Sequence, residues 1–544
     1  MFHPLRQASG HRLSRIDLTS RWRSLRRLAA GALVALLVFT AGTPLAHAQA
    51  ATAQAATAQA ATEAVGDRIQ SYIDRTLERI TEFTLDNGIK FIVLERHNAP
   101  VVSFMTYVNV GAAEESDGLT GAAHYLEHLA FKGTSLIGTT DYSAEKEQLA
   151  ELDQLFEEIK VAEAANDVEQ VEQLAEAFEL LQAEASGYVR QNELPRIVEQ
   201  AGGVGLNATT SADATRYFYS LPSNKLELWM SLESERFLDP VFREFYEEKD
   251  VILEERRLRV DNSPIGKMIE QFLATAFQTH PYRRPSIGYE DDLRGMERED
   301  VQAFFERYYT PDRMTLAVVG DVDPDDVERL AKAYFGRYPA RPPAPEIVIE
   351  EPQQQEPQSF TLRLPSQPWY LEGYHRPGLD DPDHTVYQLI SAVLSNGRTS
   401  RLYENLVEGQ QIALTAQSLN GFPGDRFDNM IVFYALTAPG YTVEDLAAAI
   451  DVELNRLKTE PVSQQELDRV RAQARAGLLR TLASNSGMAS LLPEYEAKTG
   501  SWRNLFEELS QIEAVTADDI QRVAQQTFRP ENRTVGKLLP IEDS

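Results

Sequence analysis

Two segments of the 544-residue sequence align with each other without a gap. Residues 299–316, EDVQAFFERYYTPDRMTL, match residues 518–535, DDIQRVAQQTFRPENRTV, at an offset of 219 residues. Both contain an acidic pair, an aliphatic residue, a glutamine, an aromatic residue and a proline before a short strand-like run. An offset of this size indicates two copies of one domain rather than an array of short repeats. Each copy mixes strand and helix patterns, so we expect an α+β fold built from two tandem α/β domains, each a sheet with packed helices.

Changes in composition along the chain indicate where each copy of the repeat begins and ends. We place the first copy at residues 79–336 and the second at residues 359–544, with a linker rich in proline, glutamine and glutamate at residues 337–358. Near the start of the first copy, FTLDNGIKFIVLER predicts a β-hairpin, and VVSFMTYVNVG predicts a further strand.

A helical insertion is predicted within the first copy. Residues 144–187 are acidic, carry apolar residues at helical spacing and are interrupted by AAND at residues 164–167. This pattern predicts a helical hairpin. We expect its two helices to pack on each other, and a partner-binding surface is the alternative role.

The N-terminal segment has the features of an export signal. Residues 1–48 carry seven arginines and one aspartate, then the apolar run LAAGALVALLVFTAG, then AHA ending at Ala48. These are the three parts of a secretory signal peptide, and an uncleaved membrane anchor is the alternative. Residues 49–78 have low complexity, so we expect a disordered tether. The mature protein is therefore predicted to be exported, to the periplasm of a Gram-negative cell.

Charge and cysteine content exclude several classes of function. The chain has no cysteine, which rules out a lipoprotein anchor, disulfides and cysteine-ligated metals. Its net charge is −30, and removal of the signal peptide would take it to −36. Such a surface repels nucleic acid and anionic lipid, so neither a nucleic-acid partner nor a stable membrane anchor is expected.

Residues 124–128 read HYLEH in a chain that has only nine histidines. On a helix, His124, Glu127 and His128 lie on one face, because positions i, i+3 and i+4 are neighbours. Two imidazoles one turn apart can bind zinc, and an adjacent carboxylate can take a proton from a metal-activated water. HxxEH is a known zinc-peptidase motif, although a surface helix with a charge-paired histidine couple would have the same sequence.

A third ligand is expected from the acidic helix at residues 244–262. Glu248 and Glu255 lie seven positions apart and therefore share one face of that helix. A carboxylate at Glu255 could complete the metal site, while Glu248 could orient a ligating histidine from behind. Glu254 points about 100° away around the helix and is disfavoured. The alternative is that these glutamates are simply solvated.

Three segments in this order carry a family resemblance: GAAHYLEHLAFKGT, GGVGLNATTSADATRYFYSLP and ERFLDPVFREFYEEKDVILEERRLRVDN. They resemble the pitrilysin family of inverted-motif (HxxEH) zinc metallopeptidases, and among these the bacterial relatives of the catalytic subunit of mitochondrial processing peptidase. The resemblance runs from about Glu82 to the C-terminus. It implies one Zn²⁺ per chain, bound by His124, His128 and Glu255.

The resemblance also assigns roles to other residues. It implies that Glu127 is the general base, that Glu248 supports the site, and that the second copy, which lacks an HxxEH motif, binds no metal. It further implies that an extended peptide adds as a strand beside the zinc, where GVGLNATTS places Asn207 and Ala208; a plain turn before a strand is the alternative for that segment.

The function expected is a secreted zinc endopeptidase that cleaves peptides or unfolded protein segments. Two alternatives stay open, namely a catalytically silent subunit and a periplasmic metal- or peptide-binding protein of the same fold. Larger members of the family form a four-domain chamber, and two copies supply only half of it. We therefore expect a homodimer, or a heterodimer with a related metal-free subunit.

Overall fold

The computed structural model describes residues 69–541, and the strands within this range form two sheets. The predicted signal peptide and most of the predicted tether lie outside these residues. The strands are β1 (Ile80–Thr84), β2 (Lys90–Glu95), β3 (Val101–Val108), β4 (Val204–Thr210), β5 (Thr215–Pro222), β6 (Met314–Gly320), β7 (Gln358–Arg363), β8 (Trp369–Arg376), β9 (Ala413–Phe422), β10 (Asn429–Thr437) and β11 (Arg533–Leu539).

Helices connect and cover these strands. In the first half they are α1 (residues 69–77), α2 (Ala122–Leu129), α3 (Tyr142–Ala164), α4 (Val168–Ser186), α5 (Glu193–Gln200), α6 (Leu226–Leu238), α7 (Phe245–Arg256), α8 (Pro264–Ala276), α9 (Glu290–Gly295), α10 (Arg298–Tyr308) and α11 (Pro324–Tyr334). In the second half they are α12 (His384–Ser395), α13 (Val443–Thr459), α14 (Gln464–Ala483), α15 (Asn485–Thr499), α16 (Asn504–Ala514) and α17 (Ala517–Thr527).

The sequence repeat corresponds to a structural repeat. Helix α10 followed by β6 has the same boundaries as α17 followed by β11, shifted by 219 residues at each end. Both helices begin with a capping box, formed by Glu297 and Asp300 in one copy and by Thr516 and Asp519 in the other. The strand orders also agree, except that β1 has no counterpart in the second sheet. They are β1-β2-β6-β3-β5-β4 in the first sheet and β7-β11-β8-β10-β9 in the second, each with one parallel pair, β2 with β6 and β7 with β11. The predicted α+β fold with two copies of one domain is confirmed.

The two halves exchange helices. Helix α8 of the first half packs on β7 and β11 of the second sheet, and its Phe272 is buried against Gly373 of β8. Helix α15 of the second half packs on β3 and β6 of the first sheet. Each sheet is therefore covered on one face by a helix from the other copy.

The predicted helical hairpin is present as α3 and α4, which pack on each other. It also packs on α7, because Phe156 and Phe178 form an aromatic cluster with Tyr246. At its base, Glu145 forms a buried ion pair with Arg243, only 1% and 0% exposed. The hairpin is therefore an integral part of the first half, in addition to the packing between its own helices.

The structure describes part of the predicted tether and the whole of the predicted linker. Residues 69–77, which we expected to belong to a disordered tether, form α1. The linker expected at residues 337–358 has no helix or strand from 339 to 357, but Glu351 and Gln354 bond to both halves. None of the helices within residues 69–541 is long and apolar enough to cross a bilayer.

Candidate metal centre

Helix α2 presents the two histidines of the HYLEH motif. It starts after Gly121, which adopts a left-handed conformation with φ of 92°. The carboxylate of Glu115 accepts hydrogen bonds from the backbone N–H groups of Gly121 and Ala123, both at 2.9 Å, and so caps the start of the helix. The imidazole rings of His124 and His128 then lie 4.8 Å apart on one face.

Helix α7 brings Glu255 to these rings. Its Oε2 lies 3.8 Å from Nε2 of His124 and 3.5 Å from Nε2 of His128. One donor atom from each of the three side chains falls within 4.8 Å of the others. Two ligands held at about 2.0–2.1 Å by a tetrahedral zinc ion stand about 3.4 Å apart, so the two Glu255–histidine distances are close to that spacing, and the donor types are those that zinc prefers.

Helix phase separates Glu255 from its neighbour as expected. The side chain of Glu254 is 46% exposed and pairs with Arg257, whereas that of Glu255 is 20% exposed. The second carboxylate oxygen of Glu255 accepts from Arg259 at 2.8 Å. The structure therefore brings Glu255, and not Glu254, to the histidines.

A chain of charges lies behind His128. Its Nδ1 is 3.0 Å from Oε2 of Glu248, which holds a proton on Nδ1 and leaves the Nε2 lone pair facing Glu255. The other oxygen of Glu248 bonds to Lys132, and Lys132 lies 3.1 Å from Glu244. Burial acts to raise the pKa of Glu248, but the hydrogen bonds from His128 and Lys132 hold it below its ordinary value.

His124 is held differently. Burial lowers the pKa of this imidazole to about 3, so it is neutral at neutral pH, which is the state a metal ligand requires. Its Nδ1 is buried and has no hydrogen-bond partner among the described residues. The orientation of the His124 ring therefore depends on the side chains packed around it and not on a hydrogen bond at Nδ1.

Glu127 directly precedes His128 on α2 and lies beside the two histidines. Burial raises the pKa of its carboxyl group, and a 2.6 Å hydrogen bond from the hydroxyl of Thr210 partly offsets this effect. Glu127, His128 and Lys132 line a cavity of about 260 Å³, which also borders the segment that follows the α3–α4 hairpin, including Val189. The raised pKa suits a carboxylate that must take up a proton near neutral pH.

Strand β4, which contacts α2, is an outer strand of the first sheet. Within the described residues β4 pairs only with β5, so its other edge has free backbone groups. Asn207 is exposed and its side chain accepts from the N–H of Ala208, which is buried. Thr210 at the end of β4 reaches Glu127. The structure thus places both predicted substrate-binding residues on a free sheet edge next to the histidine helix.

The second half lacks an equivalent cluster. Helix α12 follows β8 much as α2 follows β3, but in place of a Glu–Thr contact the hydroxyls of Ser391 and Ser395 each lie 2.6 Å from that of Ser418. Across residues 69–541, His124, His128 and Glu255 form the sole group of three side chains spaced for a metal.

Sequence reasoning missed three residues of this site: Glu115, Lys132 and Thr210. Lys132 lies beyond the end of α2 at Leu129, so helical spacing does not place it beside His128. No local pattern connects Thr210 to Glu127, since sheet packing brings them together.

Two family models match most of the chain. The model described as insulinase, peptidase family M16, matches residues 90–155 and 164–289, and the break between these segments falls inside the α3–α4 hairpin. The model described as the peptidase M16 inactive domain matches residues 295–474. The second match begins within the first copy of the repeat, at residue 295, and covers much of the second copy.

Relatives and solved structures agree with these matches. The chain is 28% identical over 478 residues to the zinc protease PqqE of Helicobacter pylori, covering 87% of this chain and 94% of that one. It is 23% identical over 474 residues to a probable β subunit of mitochondrial processing peptidase from Arabidopsis thaliana, covering 85% and 78%. A crystal structure of a protease from Helicobacter pylori superposes with a TM-score of 0.72 at 27% identity, covering 85% of this chain and 99% of that one.

Proposed function

The chain belongs to the insulinase family, peptidase family M16, and we propose that it is an active, secreted zinc endopeptidase. The observation that supports catalysis most directly is the convergence of His124, His128 and Glu255 with Glu127 beside them. A silent subunit would have no need to keep a neutral buried imidazole, two further ligands and a carboxylate with a raised pKa at one place.

Each side chain has a task that follows from its position. His124, His128 and Glu255 would hold the zinc ion, which would supply Lewis-acid polarisation of the scissile carbonyl and would make an attacking water more acidic. Glu127 would take the proton from an attacking water and deliver it to the leaving amine. Thr210 fixes the orientation of the Glu127 carboxylate, and Glu248 with Lys132 holds the ring of His128.

The substrates we propose are extended peptides and unfolded protein segments. The free edge of β4 can pair with a peptide backbone, and this type of binding depends little on side-chain sequence. Pairing there would run the peptide past Asn207 and Ala208 towards Glu127. Folded proteins lack a free segment that could enter as a strand.

Assembly and location complete the proposal. The signal-like N-terminal sequence supports export to the periplasm. A lone chain leaves the face carrying the histidines open, so we propose a homodimer as the active form. A heterodimer with a metal-free partner is the alternative. Light scattering, which measures the mass of the assembly, distinguishes the two.

The experiment that tests the function compares the wild type with Glu127→Gln. Zinc is quantified in both proteins, and a peptide library is digested and read by mass spectrometry. We expect about one zinc per chain in both and a loss of turnover of about 10²–10⁴-fold in the variant. Glu147→Gln, an exposed change on α3, is the control and should behave as wild type. Zinc and peptide binding without any cleavage by the wild type would favour the binding-protein alternative, and absence of zinc would refute the metal centre.

A further inference from the structure

The turn that joins β4 to β5 is bonded to the second half of the chain. Asp213 lies in this turn and is 1% exposed. Its carboxylate accepts from the backbone N–H groups of Asp425 at 2.8 Å and Arg426 at 3.1 Å, and also from the hydroxyl of Tyr282. The backbone approaches so closely that a side chain at Gly424 would collide with this carboxylate. A turn of the first sheet is therefore fixed by a loop of the second.

Helix α15 reinforces this contact. The ammonium group of Lys498 is 4% exposed and lies 3.5 Å from Asp213, 2.9 Å from Glu494 and in a short ion pair with Asp425. Glu494 also pairs with Arg216 of β5 at 2.8 Å. The second half therefore holds both β5 and the turn that leads into it.

Strand β4 contacts β5, α2 and α5. It is an outer strand, and its pairing with β5 is irregular between Val204 and Asn207. At its far end Thr210 bonds to Glu127, only three residues before Asp213. The turn that follows β4 therefore lies close to the point where this strand bonds to Glu127.

We propose that Asp213 is a positioning residue, which uses its contacts with the metal-free half to fix the β4 edge where a substrate backbone pairs. This inference rests on the proposed function for its consequence in peptide binding. It gives the metal-free half a defined part in binding: that half sets the register of the substrate strand against Glu127 without touching the substrate.

The first test measures the strand itself. Hydrogen exchange followed by mass spectrometry compares the wild type with Asp213→Asn, which keeps the shape of the side chain but removes its charge and one acceptor. We expect exchange of the amides in residues 204–215 to accelerate about tenfold or more, while α2 keeps its protection. Tyr282→Phe, which deletes a single hydroxyl from the same contact, should give a smaller effect in the same segment. Unchanged exchange at residues 204–215 in both variants would overturn the proposal.

The second test measures binding without turnover. In a Glu127→Gln background, anisotropy of a labelled ten-residue peptide reports the affinity for the β4 edge, and we expect Asp213→Asn to weaken it about tenfold with zinc content unchanged. Asp428→Asn, at an exposed position of the same second-half loop, should leave the affinity unchanged. Faster exchange with unaltered peptide affinity would overturn the positioning role. A wild-type chain without zinc or cleavage would refute the proposed function, and the exchange experiment would still decide whether Asp213 fixes the strand.

Discussion

The buried ion pair at the base of the α3–α4 hairpin gives a quantitative prediction. The guanidinium of Arg243 is 0% exposed, and all five of its N–H groups have acceptors. Two bonds go to Glu145, at 2.7 and 3.3 Å, and three go to the carbonyls of Lys132, Thr134 and Ile137, at 2.6 to 2.9 Å. Glu145→Gln keeps the volume of the side chain and removes its charge.

The expected cost follows from this geometry. Removal of one partner from a buried ion pair costs about 3–5 kcal/mol, because the other charge stays buried without compensation. Since three carbonyls still bind Arg243, we expect the lower end, about 3 kcal/mol. Because those carbonyls belong to the loop after α2, the loss should appear as local opening of residues 132–137 and of the start of α3.

Native-state hydrogen exchange is the suitable assay, because a chain of this size with two packed halves does not unfold in two states. A loss of 3 kcal/mol corresponds to exchange about 100-fold faster at the amides that open together. Glu147→Gln on the same helix should leave these rates unchanged. A change smaller than about threefold in Glu145→Gln would show that the hairpin base does not hold this loop, and the hairpin would then be the independent insertion that its sequence pattern allows.

Three further outcomes are expected. Glu255→Gln should lower zinc affinity by orders of magnitude while Glu254→Gln should leave it within about twofold, as measured by competition with a chromogenic chelator; equal losses would refute the ligand assignment. Lys132→Met should weaken zinc binding about 10- to 100-fold because Glu248 loses its second partner, and an unchanged affinity would mean that Lys132 has no part in orienting the ligands. Exported protein should begin at or just after Gln49, and mass spectrometry that finds an intact N-terminus would rule out cleavage of the signal.

The part of the site that depends on helix geometry could be predicted from the sequence. The periodicity of a helix determines that His124 and His128 share a face and that Glu255 and Glu248 share another, and the structure brings these side chains together. The same rule separates Glu255 from Glu254. Such predictions require only that the segments be helical, which their local sequence indicates.

Contacts between elements that are distant in the sequence could not be predicted from helix geometry. Thr210 meets Glu127 because β4 lies at the outer end of the sheet beside α2, and no residue spacing records this strand order. Arg243 and Glu145 lie 98 positions apart, so the sequence shows a hairpin with its own apolar seam but not the charge that fixes its base. Several strand orders are compatible with any such set of strand and helix patterns, and tertiary packing selects among them.

The exchange of α8 and α15 is a feature of the packing that the sequence repeat does not predict. Two copies of one sequence each provide a sheet and a helix that can cover it, and the repeat is equally consistent with each helix packing on its own sheet or on the other. The short connections from α7 to α8 and from α14 to α15 restrict the choice, yet residue patterns report only that each helix has an apolar face. Once α15 lies on β3 and β6, Lys498 reaches Asp213 in the turn between β4 and β5. Under the positioning role that we propose for Asp213, the half without metal ligands contributes to the site through the position of β4.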